Sequence, residues 1–451
     1  MIEVVASVDE DLGNSAYLVG LGDRRALAID PPRNLRALRG LARDRGWSLA
    51  YGAETHLHAD FVSGSRELAA SGVDVLAPRA GRYGFPVSGL DHGEEVDLGG
   101  PTLRALATPG HTPEHLAYLV LDGARPMALF TGGALLVGAV ARTDLIAPDA
   151  TERLARALYR SLHERILSLP DDLPVYPTHG AGSFCAAPAG GERTTTIGRE
   201  RAANPLLAAP DEDAFVTRLL AALGSYPPYL LRLREVNRRG PRLLGDRPPV
   251  LARLSVAEVR QRVAEGAELV DARPIEAYAG SHIPGALSIA LRSGFASWLG
   301  WLVRRGRPLV FLLEPDQDRD ALVWQCISIG YEDIAGELAG GVASWRDAGL
   351  PVEATPLVRS LPNAPGSILD VRQAAEYPEG HVPGALPLEL GSVPTGAAGL
   401  PDDLTIMCGH GERGASAASL LERVGRCVAG IYLGGPEEWA RDTGLALDRE
   451  R

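Results

Sequence analysis

One set of words occurs twice in this chain, and it limits what its C-terminal half can fold into. Leu269-Val-Asp-Ala-Arg273, followed by His282-Ile-Pro-Gly-Ala286, returns as Leu369-Asp-Val-Arg372 followed by His381-Val-Pro-Gly-Ala385. The interval from aspartate to histidine is the same in both, Asp271 to His282 and Asp370 to His381. Each copy closes on a glycine pair and a tryptophan: Gly340-Gly341 before Trp345, Gly434-Gly435 before Trp439. A repeat of about 100 residues is too long for a solenoid unit and reads as a duplicated domain. Short β runs alternate with helical stretches in each copy, so each is expected to be an α/β domain on a mostly parallel sheet. Ser255-Val-Ala-Glu258 opens the first copy as a capping box, with Leu254 and Val259 placed as its hydrophobic staple.

Ahead of the repeat, residues 237–249 are rich in Pro, Gly and Arg. That linker composition sets a boundary near residue 245 and gives three expected domains, 1–245, 246–355 and 356–451. The first alternates β runs (16–19, 26–29, 102–108 and 116–121) with polar turns and a few helices. A sheet sandwich with helices outside suits this pattern, and no glycine fingerprint for a nucleotide phosphate follows any strand. No apolar run approaches the ~20 residues that span a bilayer, and Met1-Ile-Glu-Val-Val lacks a signal-peptide layout. The net charge is −12 and every basic residue is an arginine, which argues against nucleic acid or an acidic membrane as partner. Four scattered cysteines do not make a disulfide framework, so a cytoplasmic protein is expected.

The second copy contains Cys408-Gly-His-Gly-Glu-Arg413 behind the apolar run Leu404-Thr-Ile-Met407. A strand ends, a glycine-rich loop bends around one cysteine, and a helical pattern starts at about Ala415. Amides of Gly409, His410, Gly411 and Glu412 can converge on the sulfur, and the helix dipole adds to them. A cysteine there is expected to react as its thiolate, with Arg413 holding an anionic group over it. Arg413 stands five positions after Cys408, one fewer than in a cysteine phosphatase, and Glu412 opposes a dianion. Cys326 and Cys427 lie in apolar stretches and read as packed thiols. These words, with Asp-x-Arg and His-x-Pro-Gly-Ala, resemble the rhodanese family of sulfurtransferases over residues 358–448. The resemblance implies that Cys408 carries a sulfane sulfur, that Arg413 lines the pocket, and that Asp370, Arg372 and His381 brace the fold. The first copy has Glu314 at the cysteine position and is expected to be inactive.

The N-terminal part carries Thr55-His-Leu-His-Ala-Asp-Phe61, Gly110-His-Thr-Pro-Glu-His115 and Tyr176-Pro-Thr-His-Gly180. Three histidine-bearing turns after β runs point to a metal site. The arrangement resembles the metallo-β-lactamase fold, an αββα sandwich, and more narrowly its persulfide dioxygenase (sulfur dioxygenase) branch. The whole chain is similar to a persulfide dioxygenase fused to two rhodanese copies. In that branch the first histidine, the Gly-His-Thr histidine and an aspartate after Phe-Thr-Gly hold the catalytic iron. Here the aspartate position is Gly133, and the last histidine of the His-x-His-x-Asp-His word is Phe61. His56, His58 and His111 remain as a three-histidine set, with Asp60 and His179 nearby. Three alternatives follow: no functional metal, a single Fe or Zn ion on those histidines, or competent dioxygenase iron. Cys185 either faces the same cavity as a persulfide relay or packs as a plain thiol. The expected activity is transfer of persulfide or thiosulfate sulfur through Cys408, which itself requires no cofactor. Its partners are small persulfides, thiosulfate and thiols, and a homo-oligomer is anticipated from the resemblance. The alternatives are a working dioxygenase or hydrolase, and a non-catalytic sulfur carrier.

Overall fold

A computed structural model describes residues 2–185, 191–245, 247–361 and 367–449; both chain ends and the expected boundary residue 246 lie outside these. The chain divides into two compact units, Met1–Pro249 with Trp324–Gly330, and Val250–Val323 with Tyr331–Arg451. Apart from Trp324–Gly330, both copies of the repeat therefore share one unit.

The first unit has two six-stranded sheets. One orders β1 (Glu3–Asp9), β2 (Asn14–Gly20), β3 (Arg25–Ile29), β4 (Ser48–Ala53), β5 (Asp74–Pro78) and β6 (Ser88–Leu90) side by side. The other orders β7 (Glu95–Asp97), β8 (Thr102–Ala107), β9 (Leu116–Asp122), β10 (Arg125–Gly132), β11 (Pro174–Pro177) and β12 (Thr195–Thr196). Period-two alternation explains the layering. Tyr17 and Val19 of β2 meet Tyr118 and Val120 of β9 between the sheets, while Ala16 and Leu18 face the helix Arg36–Asp44 through Leu38 and Ala42. On the far side Ala117, Leu119 and Leu121 pack under the helices Thr151–Ser161 and Glu212–Ala221. This is the anticipated αββα sandwich. The linker reading needs one correction: Asn237 to Arg239 still belong to the helix Leu230–Arg239, and Asn237 is buried. Its amide donates to the carbonyls of His58 and Phe61, both at 2.8 Å, which pins the histidine turn.

The second unit holds two five-stranded parallel sheets of the same order. One runs β13 (Arg253–Leu254), β17 (Ile334–Leu338), β16 (Leu309–Leu312), β14 (Glu268–Asp271), β15 (Leu287–Ser288). Its twin runs β18 (Leu357–Val358), β22 (Val428–Tyr432), β21 (Leu404–Met407), β19 (Ile368–Asp370), β20 (Leu386–Pro387). The Ser255–Glu258 capping box is formed, and Leu254 and Val259 share a core cluster. Both copies brace themselves alike. Arg273 grips Asp271 at 2.9 and 2.6 Å, and Arg372 grips Asp370 at 3.0 and 2.7 Å. His282 stacks on Tyr278 and His381 on Tyr377, with centroids 4.1 and 3.8 Å apart. The copies meet through a polar seam at the helix Glu412–Arg423. Ser416 donates to the Ser288 carbonyl at 2.6 Å, Ser288 N–H donates to Ser419 at 3.1 Å, and Tyr278 and Thr355 both donate to Glu422.

Candidate functional site

In the first unit the histidines arrive on the turns that follow the C-terminal ends of strands β4, β8 and β11. His56, His58, His111, His115 and His179 are all buried. Three of them are locked into one tautomer by what their other nitrogen touches. His111 Nδ1 donates to the Arg142 carbonyl at 2.7 Å, so Nε2 carries a lone pair, and that atom has no partner among the described residues. Thr55 gives its hydroxyl hydrogen to Asp30 (2.7 Å) and therefore accepts from His56 Nδ1 (2.9 Å). His179 Nδ1 faces Asn14 Oδ1 at 2.9 Å and Asp60 Oδ2 at 3.1 Å. The Nε2 atoms of His56 and His179 then lie 3.4 Å apart. One ligand atom from each of His56, His111 and His179 lies within 4.8 Å of the others. Outward-locked Nδ1–H groups and converging lone pairs are what a metal-binding histidine set needs. Burial, then the neighbouring imidazoles, holds His56 far below its ordinary range, and burial, then His179, brings His111 down to about 3. Both imidazoles are therefore neutral at pH 7. The donor set fits a single divalent ion bound by three imidazoles.

His58 stands differently. Its Nε2 lies 3.1 Å from both Asp30 and Glu54, and although burial opposes the charge, these carboxylates push its pKa up to about 10. His179 completes a converging trio with His56 and His111, while His58 converges with Asp60 and His179 and with Asp30 and Glu54. Phe61 covers the other side of His58, ring centroids 4.2 Å apart. Asp60 is buried with Oδ1 unpartnered among the described residues; burial opposes its ionisation, but His179 and His58 keep its carboxyl well below the usual range. Gly133 leaves no room for a carboxylate: a Cβ there would stand 2.6 Å from His111 Cδ2. Cys185 is fully buried, and burial together with Asp60 pushes its thiol well up, which keeps it protonated.

In the second unit Cys408 follows β21 directly and is 1% exposed. The Gly411 N–H donates to its sulfur at 3.1 Å. Gly411 does this at φ +101°, and a Cβ there would meet Ile275 at 3.0 Å and Leu433 at 3.1 Å. The helix starts at Glu412, three residues before the expected Ala415, which brings its positive end to the sulfur. Gly409 is partly buried and His410 exposed. Arg413 is held in a fork by Glu376 at 2.5 and 3.0 Å. Sequence reading missed two rim contacts: Glu376, and Arg292 of the first copy, 3.2 Å from Glu412. No local pattern marks them, because both come from distant segments. Cys427 is exposed rather than packed, since it lies on the turn before β22; Cys326 is buried.

The first copy differs in its loop. Strand pairing aligns Asp271 with Leu312 and Asp370 with Met407, and the following helices are capped by Asp318 and Gly411. The connecting segments are therefore 313–317 and 408–410, two residues longer in the first copy. Glu314 lies within that longer turn, and no residue in it can carry a persulfide.

The Rhodanese-like domain family matches residues 255–348 and 355–442. Human mitochondrial persulfide dioxygenase ETHE1 is 33% identical over 200 residues, 42% of this chain and 70% of the relative. A hydroxyacylglutathione hydrolase of Rhodopseudomonas palustris is 35% identical over 173 residues, 37% of this chain and 62% of the relative. The crystal structure of a metallo-β-lactamase from Staphylococcus aureus superposes with a TM-score of 0.66 at 28% identity, covering 75% of this chain and 98% of that one.

Proposed function

The chain belongs to the persulfide dioxygenase family, with two rhodanese-like domains behind a metallo-β-lactamase fold, and on that premise we propose that this enzyme of sulfur metabolism passes sulfane sulfur through a persulfide on Cys408. The observation that carries the reading is the Gly411 N–H aimed at a buried sulfur at the start of a helix. The Cys408 thiolate attacks the outer sulfur of a donor R–S–SH. A new S–S bond forms at Sγ as the donor S–S bond breaks, and RS⁻ leaves. A thiol or sulfite then takes the outer sulfur, and Sγ departs as thiolate. The sulfur is handed on in an unchanged oxidation state, so neither oxidant nor reductant enters. The helix dipole and loop amide stabilise the anionic sulfur, and Arg413, steadied by Glu376, supplies the adjacent cation.

A second reading concerns the first unit, where the human relative's name is persulfide dioxygenase. His56, His111 and His179 would hold the ion there. A redox-active metal supplies electrons for oxygen chemistry, and a zinc-like one Lewis acidity. The chain's own part is to present the imidazoles of His56, His111 and His179 and keep Asp60 ionised beside them. Purified protein is expected to retain one equivalent of metal, and His111→Ala to retain at least about tenfold less, by elemental analysis. Equal metal content in both removes the site. Oxygen uptake on glutathione persulfide that vanishes in His111→Ala while thiosulfate:cyanide turnover persists establishes the second activity; no uptake by metal-loaded wild type refutes it.

A further inference from the structure

The first copy has no nucleophile in its loop, yet it retains an open cavity of about 610 Å³. Its walls come from the C-terminal ends of three strands: Arg273 after β14, Glu314 after β16, and Gly340 and Gly341 after β17. From β14 the chain goes first to β15 on one side and then to β16 on the other. This is the switch point of the sheet, the place where open α/β sheets leave a crevice for ligands. Four guanidinium groups line it. Two are already committed: Arg273 to Asp271, and Arg319 to Glu337 at 3.0 Å. The other two are not. Among the described residues Arg253 is exposed without an ion-pair partner and Arg346 makes only a 3.0 Å hydrogen bond to the Ser281 hydroxyl.

The loop itself does not form an anion cradle. Arg319 Nη1 draws in the carbonyls of Glu314, Pro315 and Gln317 at 2.8, 3.0 and 2.6 Å, so carbonyl dipoles rather than amides are gathered there. Recognition would rest on the arginine forks, which match planar carboxylates. Glu314 works against it, being 3.6 Å from Arg273 and partly exposed. The volume lies in the range for organic ligands of roughly 300–1,000 Å³ and far exceeds what a lone sulfur oxyanion fills. We infer that the first copy is a non-covalent binding site for a carboxylate-bearing organic molecule of about tripeptide size, read by Arg253 and Arg346, with glutathione as its probe. The inference goes beyond sulfur transfer and does not involve Cys408.

The test uses the full chain with Cys408→Ser, so that binding is measured without turnover, and titrates glutathione and thiosulfate separately by calorimetry. Glutathione is expected to bind. The added pair Arg253→Ala and Arg346→Ala, both at the exposed rim, should weaken it about tenfold or more, whereas Glu314→Gln should tighten it severalfold. Affinity unmoved by the arginine pair overturns the site, as does absence of glutathione binding. Binding of thiosulfate alone overturns the ligand class.

Discussion

Cys408→Ser is expected to lose thiosulfate:cyanide and persulfide:thiol turnover by about a thousandfold or more, with an unchanged melting temperature. Serine is nearly isosteric, and the Gly411 N–H that meets the sulfur at 3.1 Å can donate to a hydroxyl oxygen as well. The loop therefore keeps its shape, and what disappears is the polarisable nucleophile. An alcohol at this position stays protonated at neutral pH and cannot hold a transferable sulfur. Mass spectrometry should find one added sulfur on wild type exposed to donor, and none on the variant. Turnover by Cys408→Ser at the wild-type rate sinks the assignment. A sulfur-loaded Cys408 without turnover would mark a carrier instead of a transferase.

Asp30→Ala should be the most destabilising single change in the first unit, costing about 3–5 kcal/mol. Asp30 is 1% exposed and sits beneath the histidine cluster. It accepts from the Thr55 amide and hydroxyl, both at 2.7 Å, and from the Thr178 hydroxyl, while His58 lies 3.1 Å away. Burial opposes its charge, but His58 holds its carboxyl below the usual range. Removing it leaves the His58 imidazolium to Glu54 alone and strips three donors of their acceptor. It also sits at φ +48°, a conformation that alanine adopts less readily than aspartate or asparagine. The first thermal transition should fall by roughly 10 °C, and Asp30→Asn, which keeps the shape, should fall less. A melting curve superimposable on wild type would show that Glu54 alone can carry the imidazolium.

The repeated words made the twin sheets legible because each marks a local device: an aspartate–arginine grip, a histidine–tyrosine stack, a capping box. The sandwich was legible through β runs that alternate with polar turns and a few helices. What escaped was set by contacts far apart in sequence. That His179 converges with His56 and His111 while His58 turns to Asp30 reflects segments far apart, β3 delivering Asp30 from well upstream. The extra length of the first copy's loop shows only once strand pairing fixes its two ends. The early helix start at Glu412 follows from the left-handed turn at Gly411, whose following residues the sequence left in the loop.

The seam at the helix Glu412–Arg423 bears on how the second unit can be dissected. Glu422, Ser416 and Ser419 find their partners on Tyr278, Thr355 and Ser288, outside the domain span that begins at residue 356. A fragment of 356–451 would leave a carboxylate and two hydroxyls facing water on the helix that carries Cys408. Residues 250–451 should consequently melt as one cooperative foldon, and the excised C-terminal copy should be markedly less protected against amide hydrogen exchange along that helix. The copy without a loop cysteine is then half of the scaffold that keeps Cys408 in place.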